Sequence, residues 1–90
     1  VSAYNGYAWN ASKTKTNLDK ALEYALKAVE LSNRKVGILD TLAAVHFARR
    51  EYTEALRVSR EILATKPESG SYAKKHKKYL NAFRKFLMKG

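Results

Sequence analysis

Apolar residues recur at helical spacing along most of this chain. Between about Leu18 and Ser32 they occupy positions 18, 21, 22, 25, 28 and 29, the i, i+3, i+4 spacing of an amphipathic helix. Between about Val36 and Arg50 they cover a wider arc, which is typical of a helix packed on two sides. The pattern contains no strand signal and predicts five helices, at about residues 3–11, 18–32, 36–50, 54–65 and 72–88.

Polar residues and one proline mark the ends of these helices. Asn17 and Thr53 are predicted to cap the second and fourth helices, because their side chains can accept from a free backbone N–H. Pro67 is predicted to end the fourth helix, since the residue before a proline avoids the α conformation. Ser69 or Ser71 is the predicted cap of the fifth helix.

The second helix is echoed 34 residues later in the fourth. Positions 21, 22, 25, 28 and 29 correspond to positions 55, 56, 59, 62 and 63, and all of these residues are apolar apart from Ser59. A period of about 34 residues is the length of a repeated helical hairpin. The echo therefore predicts two stacked hairpins, with the fifth helix covering the last one.

Residues 36–67 resemble one tetratricopeptide repeat (TPR). The residues that match its pattern are Leu42, Ala43, Tyr52, Ala55, Leu56, Leu63 and Pro67. Five positions depart from it: Leu39 replaces the Trp, His46 the Tyr, Arg50 the turn Gly, Ser59 the aromatic and Ile62 the Ala. Because that glycine adopts a left-handed conformation, Arg50 leaves the geometry of the turn open. The first hairpin matches less well: Tyr7 and Ala8 stand for the Leu-Gly pair, and its turn is about one residue longer.

The resemblance implies an all-α fold, a right-handed superhelical stack of antiparallel hairpins with five helices. It divides a single domain of residues 1–90 into repeat one (about 3–35), repeat two (about 36–69) and a capping helix (about 70–88). Arrays of this kind usually need about three repeats. We therefore expect the domain to be a fragment of a longer protein.

The charge is concentrated at one end. The chain has a net charge of +10, and residues 66–90 carry eight basic residues against one acidic residue. Such a surface favours acidic partners, nucleic acid or anionic lipid in a salt-dependent way. The cluster 74–78 could contact phosphates or a membrane surface, or could be a solvated basic face. Against nucleic acid, the aromatic residues of the fifth helix lie on its apolar stripe, where we expect them to be buried and unable to stack on bases.

Similar TPR arrays bind peptides or partner proteins in a groove lined by the first helix of each repeat. The residues that the resemblance places in this groove are Asn5, Trp9, Ser12, Asp40, Thr41, Ala44 and Phe47, with Lys74, Lys75 and Lys78 as candidates from the fifth helix. Trp9 could instead be wedged between the first and third helices. One TPR subfamily binds C-terminal carboxylates through residues at five fixed positions. In this chain only one of the five positions, Asn5, holds the matching residue, so we expect no strong binding of acidic C-terminal tails.

Catalytic and metal-binding patterns are missing from the sequence. There is no Gly-rich phosphate loop, no Ser/His/Asp set and no cysteine. His46 is expected to be packed and hydrogen-bonded, His76 lies on the apolar stripe of the fifth helix, and neither has a nearby carboxylate or second ligand at i+4. We therefore expect neither an enzyme nor a cofactor. No apolar run is long enough for a transmembrane helix, and the sequence is compatible with either the cytoplasm or the periplasm.

Three functions remain open at this level. The first is a non-enzymatic module that binds a protein or peptide, acidic ones included, in its concave face. The second is an accessory or structural domain that docks on a neighbouring domain or forms a homodimer through exposed repeat surface. The third is a basic surface that binds nucleic acid or anionic membrane. A solvated basic face, with no ligand, would also explain these lysines.

Overall fold

The structure is a computed structural model, and it describes residues 2–65 and 70–84. In this part of the chain the segments with helical periodicity form five helices. They are α1 (Ser2–Thr14), α2 (Leu18–Leu31), α3 (Val36–Ala48), α4 (Tyr52–Ala64) and α5 (Gly70–Ala82). These residues contain no strand, so the predicted all-α class is confirmed. None of their helices is long and apolar enough to cross a membrane.

The helices pack as a stack of hairpins. α1 packs on α2 and α3 packs on α4, while α3 also contacts both α1 and α2, and α5 covers α4. Alanines with no exposed surface let the helices approach closely; they are Ala8, Ala21, Ala25, Ala28 and Ala55. Larger side chains fill the rest of the core, among them Leu39, Leu42, Val45, Leu56 and Ile62. On one face of the stack, α1, α3 and α5 meet.

The predicted caps differ from the structure. Asn17 does precede α2, but it has a left-handed backbone with φ 49° and its side chain makes no capping hydrogen bond. Thr53 lies inside α4, which begins at Tyr52 after Glu51. The position of the Asn17 cap was therefore predicted correctly but its side-chain hydrogen bond was not, and the prediction for Thr53 was wrong. Ser69 and the predicted end of the fifth helix at 85–88 lie outside the described residues.

The turn between α3 and α4 has the geometry that the repeat pattern assigns to glycine. Arg50 has φ 63°, in the left-handed region. The Glu51 N–H donates to the His46 carbonyl at 2.9 Å, the bond across six residues that defines a Schellman helix end. Although Arg50 replaces the glycine of the repeat pattern, the turn has the same geometry. Its left-handed backbone conformation is unfavourable for a residue with a side chain.

Replacing this residue, Arg50→Gly, should stabilise the protein by about 0.5–1 kcal/mol. The left-handed conformation costs a non-glycine residue roughly 1–2 kcal/mol, and glycine removes this cost. The larger conformational entropy of glycine in the unfolded chain offsets only part of the gain. The measurement is the midpoint of thermal unfolding. Arg49→Gly is the control: Arg49 has φ −80° and bonds to Glu51 and Asp19, so its replacement should destabilise. Equal destabilisation by both changes would refute the argument.

Candidate functional site

A cavity of about 330 Å³ opens where α1, α3 and α5 meet, and we call it the groove. Its lining residues are Trp9, Ser12, Lys13, Lys15, Ala44, Phe47, Ala48, Lys75 and Tyr79. Five of the ten residues predicted for a partner-binding face are in this list: Trp9, Ser12, Ala44, Phe47 and Lys75. The groove therefore combines side chains from the first helix of each hairpin with side chains from the covering helix.

Trp9 borders the groove and is half-buried. Two ammonium groups lie over its ring: Lys13 Nζ is 4.6 Å from the ring centroid and Lys75 Nζ is 5.3 Å from it. A cation within about 6 Å of an indole centroid is attracted by the ring quadrupole. Lys13 follows Trp9 by one helical turn, whereas Lys75 reaches it from α5.

Aromatic rings form the other side of the groove. Phe47 of α3 and Tyr79 of α5 have ring centroids 4.6 Å apart, and Phe83 lies 5.4 Å from Phe47. Phe83 stacks in turn on Tyr52 at the start of α4, at 4.9 Å. These tilted and stacked contacts hold α5 against the second hairpin. The aromatic stripe of α5, read from the sequence as a packing surface, therefore also shapes the groove.

A chain of buried polar side chains lies directly beneath Lys75. His76 Nε2 is 2.8 Å from Asp40 Oδ1, and His76 Nδ1 is 2.7 Å from Ser59 Oγ. Lys75 Nζ donates to the other oxygen of Asp40 at 3.0 Å. Ser59 and His76 have no exposed surface and Asp40 has 7%. The chain joins α3, α4 and α5, and His76 is the only fully buried side chain among the described residues of α5.

Ser59, His76 and Asp40 have the residue types of a hydrolase triad but a different arrangement. In such a triad the serine contacts Nε2 of the histidine and the carboxylate contacts Nδ1; here the two contacts are exchanged. The serine is also fully enclosed, so a substrate carbonyl has no access to it. The geometry suits a structural link between helices. This link was not predicted from the sequence, because its members are 17 and 36 residues apart along the chain.

The environment of Asp40 lowers the pKa of its carboxyl group. Burial by itself raises that pKa, but the hydrogen bonds from His76 and Lys75, together with their charges, outweigh it and bring the pKa below the ordinary value of 3.8. The carboxylate form is thus favoured more in the folded chain than in the unfolded chain.

This shift predicts an acid-sensitive contribution to stability. Because the folded pKa of Asp40 is lower than the unfolded one, the contribution is complete above the unfolded pKa of 3.8 and is lost as the pH falls through the folded pKa. Thermal midpoints measured from pH 6 to pH 2 should fall less steeply in Asp40→Asn than in the parent chain. Parallel curves for the two proteins would contradict the assignment.

His46, the other histidine, is packed and hydrogen-bonded, as the sequence predicts. Its Nδ1 is 2.9 Å from Glu51 Oε1, and Arg49 Nε donates to the same oxygen at 2.8 Å. The hydrogen bonds from Arg49 and then His46 lower the pKa of Glu51. These bonds fasten the turn between α3 and α4, away from the groove lining.

The other predicted residues lie around the groove or below it. Lys74 and Lys78 line an adjoining depression of about 400 Å³, which shares Lys75 and Tyr79 with the groove. Thr41 is buried. Asn5 is half-buried, and its Oδ1 has no hydrogen-bond partner among the residues that the structure describes.

Asp40, expected to supply an acidic point in the groove, lies beneath its surface instead, engaged by Lys75 and His76. Four residues of the groove lining were not predicted from the sequence: Lys13, Lys15, Ala48 and Tyr79. The i+4 spacing of Lys13 from Trp9 was the available signal for one of them.

No group of three or more His, Asp or Glu side chains able to hold a metal ion occurs in residues 2–65 and 70–84. Compared with known proteins, the chain matches no family model, and neither curated proteins nor solved structures show significant similarity to it. The groove must therefore be interpreted from its own chemistry.

Proposed function

We propose that this chain is a non-enzymatic interaction module that binds a peptide or an extended segment of a partner protein in the groove. The observation that carries the proposal is the groove itself: an open cavity of about 330 Å³ that exposes part of Trp9, Phe47 and Tyr79 between three helices. Tryptophan and tyrosine are enriched among the residues that dominate binding energy. The resemblance of residues 36–67 to a TPR repeat supports the same function.

The groove is built on rigid elements, which favours binding. Its aromatic side chains and most of its lysines come from α1, α3 and α5, each of which packs against another helix of the stack. A preformed site loses less conformational entropy on binding than a loop that must become ordered. An extended peptide could contact α1, α3 and α5 at once.

A selection from a random peptide library, followed by calorimetry on the selected peptides, tests this function. Trp9→Ala should weaken binding at least tenfold, since truncating a hot-spot residue costs about 2 kcal/mol or more. Leu26→Ala is the matched control, because Leu26 is exposed on α2 and is not part of the groove lining. If no peptide is selected, or if both changes weaken binding equally, the proposal fails.

A docking role is the second candidate, and the exposed leucines of α2 favour it. Leu26 is 50% exposed and Leu31 is 56% exposed. They could contact a neighbouring domain or a second copy of the chain. Light scattering of the parent chain and of a Leu26→Ser/Leu31→Ser variant separates the outcomes: a dimer that the variant loses would support homodimerisation.

A further inference from the structure

We infer that the groove selects acidic peptides and that Lys13 and Lys75 determine this selectivity by placing a ligand carboxylate beside Trp9. The inference rests on the proposed function and adds the chemistry of the ligand and the residues that recognise it. It assigns the acidic group to a side chain within the peptide, next to an apolar residue that contacts Phe47 and Tyr79.

The charge around the groove has one sign. The groove and its adjoining depression are lined by Lys13, Lys15, Lys74, Lys75 and Lys78, and among the described residues no acidic side chain lines either one. Within the described part of the chain, no carboxylate forms an ion pair with Lys13 or Lys15. The nearby Asp40 contacts Lys75 from below and keeps only 7% of its surface exposed. A peptide carboxylate therefore meets the ammonium groups of Lys13 and Lys15, which have no carboxylate partner in the described part of the chain, beside Lys75, which shares its charge with Asp40.

The arrangement of Trp9 disfavours two other classes of ligand. A cluster of Trp, Phe and Tyr is suited to binding a cationic group, but here Lys13 and Lys75 already lie over the indole ring. A second cation would be repelled. Nucleic-acid bases need an open aromatic face for stacking, and the ammonium groups cover Trp9 while Phe47 and Tyr79 pack on each other. A carboxylate group is the ligand chemistry that this geometry accommodates.

Lys75 is held in place for this role by the buried chain below it. Asp40 accepts from Lys75 Nζ and is itself fixed by His76, which also contacts Ser59. Lys75 is thus restrained before a ligand arrives, so less side-chain entropy is lost when a carboxylate binds. Lys13, which is exposed, can adjust its position beside Trp9.

The test uses the fluorescence of Trp9, the single tryptophan of the chain. Three blocked pentapeptides are titrated, with a central phenylalanine flanked by four glutamates, four glutamines or four lysines. The glutamate peptide should bind about tenfold more tightly than the glutamine peptide, since two partly exposed ion pairs contribute on the order of 1–2 kcal/mol in total. The lysine peptide should bind most weakly. Added salt should reduce the preference for glutamate.

Charge-matched variants identify the residues. Lys13→Gln/Lys75→Gln should reduce the glutamate preference, which is the ratio of the two peptide affinities, to less than about twofold. Lys20→Gln/Lys27→Gln is the control, since these lysines also lie over aromatic rings, those of Tyr24 and Tyr4, but outside the groove lining. The control should keep the preference. The single variant Lys13→Gln should lose part of the glutamate preference. Because it keeps the ion pair between Lys75 and Asp40, it controls for a folding defect in the double variant.

Each outcome separates the two proposals. Equal binding of the glutamate and glutamine peptides would overturn the acidic selectivity and leave peptide binding intact, and so would equal effects of the two double variants. Failure of all three peptides, and of every library-selected peptide, would overturn peptide binding itself. Tighter, Trp9-dependent binding of a single-stranded oligothymidylate would show that the groove serves nucleic acid and would also overturn the inference.

Discussion

Replacing Asp40 by alanine should lower the free energy of unfolding by about 3 kcal/mol. Breaking a buried ion pair from one side costs about 3–5 kcal/mol, and we take the lower end because Lys75 is partly exposed and can turn to solvent. His76 would lose the acceptor of its Nε2 hydrogen while remaining fully enclosed. For a domain of this size the loss corresponds to a thermal midpoint lower by on the order of 15 °C.

The change should also loosen the covering helix. Since His76 is the only fully buried side chain in the described part of α5, the helix depends on the bonds of His76 and Lys75 to Asp40. Hydrogen exchange should therefore increase in α5 before it increases in α1–α4. A uniform increase over all five helices would show that Asp40 serves global stability without a particular role in docking α5.

Two controls isolate the buried charge. Asp40→Asn keeps an acceptor for His76 and should cost clearly less than alanine. Asp19→Ala likewise removes an ion-paired carboxylate, whose partner is Arg49. The side chain of Asp19, however, is 98% exposed. Exposed pairs contribute about 0–1 kcal/mol, so this change should be nearly neutral. A comparable loss in Asp19→Ala and Asp40→Ala would contradict the interpretation.

Leu39→Ala should lower the free energy of unfolding by about 3–4 kcal/mol. Leu39 has no exposed surface and belongs to the core cluster that contains residues of all four hairpin helices. Truncating a buried leucine removes its transfer free energy and leaves a cavity, at a cost of about 2–5 kcal/mol. Since small domains have a total stability of about 5–15 kcal/mol, the variant should unfold at a much lower urea concentration.

The matched comparison is Leu26→Ala. Leu26 is a leucine of similar helical context but is 50% exposed on α2, so its truncation should cost less than about 1 kcal/mol. Urea unfolding followed by circular dichroism measures both. If the two variants differ by less than about 1 kcal/mol, the core does not depend on Leu39 as the packing indicates.

Much of the fold could be predicted from the sequence. The existence, order and approximate bounds of the five helices follow from hydrophobic spacing, because that spacing is a local property of each segment. The helix ends were less accurate. α4 begins two residues before the predicted start, because the turn through Arg50 and Glu51 sets it, and the side chain of Thr53 plays no part.

The groove was predicted only in part. Trp9, Ala44 and Phe47 were assigned to it through their positions in a repeat pattern, and the structure places all three in its lining. Tyr79 was expected to be buried in the stripe of α5, but it is half-buried and lines the groove. Its exposure depends on how α5 crosses the second hairpin, which hydrophobic periodicity does not specify.

The sequence by itself determined which segments are helical, which face of each is apolar, and that the basic charge gathers near α5. Only the tertiary structure decided that Asp40, Ser59 and His76 meet beneath Lys75, and that Lys75 reaches Trp9 from another helix. The reason is physical. Helical periodicity arises from contacts within a few residues, whereas these contacts join residues 17 to 66 positions apart and depend on the distances and angles at which packed helices cross.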